Sequence, residues 1–138
     1  MASNAYRIKS VVTAVGTIGG VIDVQESVSG DTTEHVADNT TNVEAIWVDN
    51  VRATISVTTT DASLIGSYTM GLATTALVIT REQRANGTGA VSMGDITSTY
   101  DEVVVTDVAD GGVTQGEGTL VITFTAYDTA DNDLVTYA

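Results

Sequence analysis

The chain reads as all-β: short antiparallel strands forming a β-sandwich or barrel, with one short flanking helix and a long β-hairpin arm. Residues 51–60 alternate almost without error, Val51, Ala53, Ile55, Val57 and Thr59 taking one face and Arg52, Thr54, Ser56, Thr58 and Thr60 the other. Residues 119–127 repeat the pattern, with Leu120, Ile122, Phe124 and Ala126 set against Val121, Thr123, Thr125 and Tyr127. Side chains change face at every strand residue, so each segment has one apolar and one polar side. Between such runs the chain is rich in Thr, Val, Gly, Asp and Ala, the mixture that short strands and tight turns require. At 138 residues it can bury the core of one domain without metal or disulfide support.

The elements follow in order. Residues 6–15 carry Ile8, Val11 and Val15 in imperfect alternation and are expected as a first strand. Residues 18–28, IGGVIDVQESV, form a second, and the Gly19-Gly20 pair at its start predicts a bulge or a close backbone approach. Residues 29–42, SGDTTEHVADNTTN, have no periodicity and many turn formers, which leaves a long loop or a splayed hairpin arm. Strands are expected at 43–48 and 51–60, followed by one helical turn in Asp61-Ala62-Ser63-Leu64-Ile65-Gly66, where Asp61 can cap and Gly66 can close. Residues 74–82 read as a strand, 84–89 as an Asn-Gly turn, and 96–108 as one strand or two. Residues 109–118 read as a Gly-rich hairpin, and 119–127 as the closing strand.

Charge and composition exclude several functions. There is no Cys, hence no disulfide, thiolate zinc site or cysteine nucleophile. The first ten residues lack the apolar region of a signal peptide and no run approaches the ~18 apolar residues of a spanning helix, so a soluble product starting in the cytoplasm is expected. A net charge of -13, from 18 acids against Arg7, Lys9, Arg52, Arg81 and Arg84, repels phosphate backbones. DNA could pass such a surface; it would not be held there.

Chemistry-bearing residues are sparse. His35 is the single histidine and lies in the polar segment without an identifiable base or orienting partner, so a solvated role is expected. The segment 128–133, DTADND, is oxygen-rich but lacks the order of an EF-hand loop, and Asp107-Val108-Ala109-Asp110-Gly111-Gly112 resembles a turn. Gly16-Thr17-Ile18-Gly19-Gly20 and the glycines of 111–118 lack a P-loop Lys. The glycosylation sequons Asn39-Thr40-Thr41 and Asn86-Gly87-Thr88 carry no weight without a secretory signal. Trp47 is expected to pack in the core or at a sheet edge. No enzyme and no cofactor are implied; an acidic, chemically quiet, strand-rich chain suits a building block.

Three segments together, IGGVIDVQESVSGDTTEHVAD, NVRATISVTTTDASLIGS and GEGTLVITFTAYD, resemble the tail tube (major tail) proteins of long-tailed bacteriophages. The resemblance lies in arrangement across most of the chain: a strand entering a polar arm, a returning strand, a short helix after a Thr-rich strand, and a closing Gly-Glu-Gly strand. It implies a β-sandwich with a flanking helix, six copies to a ring and stacked rings forming a hollow tube. The implied partners are further copies, the tape measure, the tail terminator and the baseplate or distal tail proteins. The place would be the virion tail, assembled in the host cytoplasm, with DNA passing through unbound and no membrane contact. Asp23, Gln25, Arg52, Thr54, Ser56 and Thr58 would then face the lumen. Ser29, Gly30, Asp31, Thr32, Thr33, Glu34, His35, Val36, Ala37, Asp38, Asn39, Thr40, Thr41 and Asn42 would form an arm reaching the next ring. Two departures stand out: no C-terminal immunoglobulin-like domain follows, and the expected helix is short.

If residues 18–28 pair antiparallel with 51–60, a register with Asp23 opposite Arg52 would neutralise the one cation on the polar face. Other classes share parts of this description. A capsid decoration protein is also β-rich and acidic, and the tube of a contractile secretion machine shares the fold and ring. A carbohydrate-binding or adhesin sandwich would need exposed aromatic platforms and a secretion signal. A hydrolase would need a nucleophile and base that this chain does not display.

Overall fold

Alternation in the two best-patterned segments becomes two central, adjacent strands, around which the rest of one antiparallel sheet is built. The computed structural model describes residues 4–36, 41–85, 92–112, 118–127 and 134–138. Its strands are β1 (Asn4–Val12), β2 (Val21–His35), β3 (Ala45–Thr59), β4 (Ala73–Ala85), β5 (Ser92–Gly111), β6 (Thr119–Ala126) and β7 (Thr136–Tyr137), with a single 3-10 turn at Ala62–Gly66. The sheet order is β1-β4-β5-β6-β3-β2, and β7 adds to β5. The fold is therefore all-β, as expected, and its helical part shrinks to the capped turn, in which the Asp61 carboxylate accepts from the Ser63 N–H at 3.2 Å.

The sheet curls so that one face becomes an interior. Ala53, Ile55 and Val57 of β3 meet Leu120, Ile122, Phe124 and Ala126 of β6, Tyr100, Val103 and Val105 of β5, Leu77 and Ile79 of β4, and Val11 of β1, all fully buried. Phe124 meets Tyr68 edge-on at 5.8 Å, and the Tyr68 hydroxyl shares a 2.7 Å hydrogen bond with Thr13, so the phenol is buried with its polar end satisfied. The interior face changes phase along β4 and β5. Thr74 is buried and then Leu77, Val103 and then Tyr100, an odd step on both strands, while their pairing continues without a slip. Ala76 supplies the bend with a positive φ of 53°, a conformation costing an L-residue roughly 1–2 kcal/mol.

The sheet does not close. β1 and β2 are its two ends, and hydrogen bonds near them, Ile18 N–H to Val11 O at 2.9 Å and Thr60 N–H to Gly20 O at 3.0 Å, tie the connecting segment to β1 and to the end of β3. The close approach expected at the glycine pair is real: a Cβ on Gly20 would stand 2.7 Å from Thr60 Oγ1, and its φ is +65°. The bulge follows directly, where Ile22 is the extra residue between the Val21–Thr59 and Asp23–Thr58 pairs.

Several boundaries differ from expectation for identifiable reasons. β1 stops at Val12 because Thr13 and Gly16 exchange backbone hydrogen bonds in a tight turn. The segments at 43–48 and 51–60 are one strand interrupted by a bulge, Asn50 taking a φ of 54°. β5 is likewise one strand and absorbs 109–111 of the expected Gly-rich hairpin. The Asn-Gly turn at 86–89, most of the glycine segment, and 128–133 lie outside the described residues. Among the described residues, no helix is long and apolar enough to cross a membrane.

Candidate functional site

Strand pairing decides which side chains share a face, and it assembles a polar surface across four strands. Ser27 of β2, Thr54 of β3, Thr125 of β6 and Val104 of β5 form one row; Gln25, Ser56, Thr123 and Asp107 the next; Asp23, Thr58, Val121 and Ala109 a third. Asp23, Gln25, Arg52, Thr54, Ser56 and Thr58 do lie on one face, the side of β2 and β3 opposite the core. The hydroxyls mostly serve each other: Ser56 Oγ and Thr123 Oγ1 are 3.3 Å apart, Thr106 Oγ1 and Thr125 Oγ1 3.0 Å. Gln25 donates to Asp23 at 3.3 Å.

Two parts of the sequence reading are corrected here. Asp23 lies opposite Thr58 and Ser29 opposite Arg52, because the ladder runs on into the arm as far as the His35–Ala45 pair; the bulge at Ile22 shifts the register by a single residue. The carboxylate near Arg52 is instead Asp31, 4.0 Å away; Asn50 donates to the same carboxylate at 3.0 Å. Trp47 is neither in the core nor covered at an edge: it is 52% exposed, with the His35 ring set edge-on at 6.1 Å.

The polar segment at 29–42 is largely strand. Ser29, Asp31, Thr32, Thr33, Glu34 and His35 pair with residues 45–52, so the loop alternative falls and a hairpin arm stands in its place. Val36, Thr41 and Asn42 lie beyond the ladder, and Ala37, Asp38, Asn39 and Thr40 are outside the described residues. β6 stops pairing with β3 at Ala53, so among the described residues no third strand lies beside the outer half of this hairpin. Its two faces differ. Asp31, Thr33, His35, Trp47 and Asp49 occupy one; Val28, Thr32, Glu34, Ile46 and Val48 occupy the other, which continues the core face of Ala53 and Ile55. Val51, at the bulge, packs toward this second side, since a Cβ on Gly30 would meet Val48 Cγ1 at 2.8 Å and Val51 Cγ2 at 3.3 Å. Val28, Ile46, Val48 and Val51 are exposed by 52%, 59%, 55% and 50%, so no described element covers this apolar face.

Where the arm joins the body, an ionic brace crosses the interior. Glu26, on the core side of β2, pairs with Arg81 of β4 and accepts from the Tyr100 hydroxyl at 2.6 Å, while Arg81 donates to Ser98 at 2.9 Å. Burial pushes the Tyr100 phenol up to about 12, with Tyr137 adding to the rise and Arg81 opposing it. Reading the sequence missed this cluster. The available signal was Glu26 itself, an acid in the apolar phase of Val24 and Val28. Above the brace opens a cleft of about 830 Å³ between the sheet's ends, lined by Ile8, Val21, Ile22, Val24 and Ile96, with Arg7, Asp23 and Arg81.

The hydroxyl rows hold no histidine, and among the described residues no group of three or more His, Asp or Glu side chains could hold a metal ion. No protein-family model matches the chain, and no curated protein matches its sequence.

Proposed function

We propose that the chain is a non-enzymatic structural subunit of a phage tail tube, stacking in hexameric rings around a conduit through which DNA leaves the virion. The observation that carries this reading is the outer half of the β2–β3 hairpin. It is a two-stranded ribbon with an apolar face open to solvent and no described element to cover it. An isolated two-stranded ribbon is marginal in water, and exposed edges invite pairing, so such an arm is a device for contact with another molecule. Further copies of the chain, joined head to tail, supply that contact repeatedly, as in rings and filaments.

The hydroxyl rows support the conduit part of the reading. A wall of short, mutually satisfied hydroxyls with Asp23 and Asp107 on it, in a chain of net charge -13, offers phosphates repulsion and few donors. The one cation set among them, Arg52, is flanked by Asp31. Lumen-facing roles for Asp23, Gln25, Arg52, Thr54, Ser56 and Thr58 follow from this reading.

Negative-stain electron microscopy of the purified protein, with light scattering for mass, tests it. Six-fold rings or hollow tubes are the expected result. A compact trimer would replace this reading with a capsid decoration protein.

A further inference from the structure

We propose that the cleft between the ends of the sheet is the receptor for the arm, and that the arm it receives belongs to a second copy of this chain. The inference rests on the self-assembly of the preceding reading and names the surface that assembly uses. The cleft exists because β1 and β2 end the sheet without pairing to each other, which leaves Ile8, Val21, Ile22, Val24 and Ile96 around an opening of about 830 Å³. Ile22 is 62% exposed there, held out by its bulge.

The arm offers the matching chemistry. Its uncovered face carries Val28, Ile46, Val48 and Val51, and the charged residue paired into that face is Glu34, opposite Ile46. The cleft's rim carries Arg7, which is exposed and has no carboxylate within ion-pair distance among the described residues; Arg81 beneath it is engaged by Glu26. Glu82 stands opposite Arg7 on the β1–β4 ladder, Asp23 also lines the cleft, and Lys9 is held by Asp95, so among the described residues Arg7 is the cation of this lining without an ion pair. Apolar matter meets apolar matter, and an acid arrives at an unpaired guanidinium.

The occupant cannot be the chain's own arm. Val48 lies opposite Thr32, ten residues along β2 from Ile22, which is about 33 Å at the rise of an extended strand. A contact between two different surfaces on successive copies is heterologous, so it propagates into a ring or a filament.

The absence of cysteine makes the contact easy to trap. Val48→Cys and Ile22→Cys proteins, both altered at exposed positions, are mixed under mild oxidation, with Met70→Cys, also exposed, replacing Ile22→Cys in the control. The expected product is a mixed disulfide well above the control, and a chain carrying both substitutions gives a ladder of covalent oligomers. Adding Arg7→Glu to the Ile22→Cys protein lowers the yield about fivefold, and adding Glu34→Arg to its partner restores it. A yield no higher than the control overturns the proposal, as does a dominant Val48→Cys homodimer, which would set arm against arm. Rings or tubes without the mixed disulfide remove this receptor and leave the tube reading standing. A mixed disulfide with neither rings nor tubes does the reverse.

Discussion

β2 and β3 run side by side for their whole length, yet their two halves live in different surroundings. In the inner half, Ala53, Ile55 and Val57 are fully buried under β4, β5 and β6, and Glu26 is held by Arg81 and Tyr100. In the outer half the same ladder of hydrogen bonds continues, but Ile46, Val48 and Val51 face solvent. A ladder alone does not distinguish a core from an arm. What lies across from the apolar face does, and across from the arm's apolar face no described element stands.

Substitutions in the two halves should therefore separate stability from assembly. Phe124→Ala in the body removes a fully buried ring packed on Tyr68, and urea unfolding should show a loss of about 3–5 kcal/mol. A loss below about 1 kcal/mol would mean that the curled sheet does not enclose this ring in solution.

A smaller effect is expected from pH at the base of the arm. The Tyr100 phenol holds its proton to about 12 in the fold against an ordinary value near 10.0. Its contribution is fully present below pH 10 and is lost as pH rises through 12, because the unfolded chain gives up the proton first. Stability should fall by about 1 kcal/mol between pH 9 and pH 11 from this group, and Tyr100→Phe should flatten that part of the profile. An unchanged slope in Tyr100→Phe would show that the brace does not bury the phenol.

The smallest effect on stability should come from the arm. Ile46→Ser changes an exposed side chain and should leave the urea midpoint of the monomer within about 0.5 kcal/mol, while assembly measured by sedimentation is lost. A large loss of monomer stability would place Ile46 against the chain's own body and erase the distinction between the halves.

Much of the body was legible because burial on one side imposes a period of two. The central strands at 51–60 and 119–127 show it in clear alternation, and Asp61 marks the turn that follows by its capping carboxylate. Of the outer arm, 43–48 was legible as strand but Ser29 to His35 read as turn formers in a loop or splayed arm, since a ribbon without a core beneath it has no reason to alternate. Trp47 misled for a related reason: a lone large aromatic is usually packed, and only the end of β6 at Ala53 shows that nothing in the described chain covers it.

The amino-acid sequence by itself determined the all-β class, the composition of the hydroxyl face, the acidity and the absence of thiol chemistry, because these depend on residue type and local spacing. Register and closure were decided only by the tertiary structure. One extra residue on β2 at Ile22 moves the pairs from Asp23 to Ser29 along by one, and one extra residue on β3 near Asn50 cancels that shift, so that Ser29 stands opposite Arg52 and Asp31 comes near its guanidinium. The ionic brace and the open cleft likewise join residues from β1, β2, β4 and β5, far apart in the chain. Bulges and sheet curvature are summed over long-range pairings, and no local pattern in the sequence records that sum.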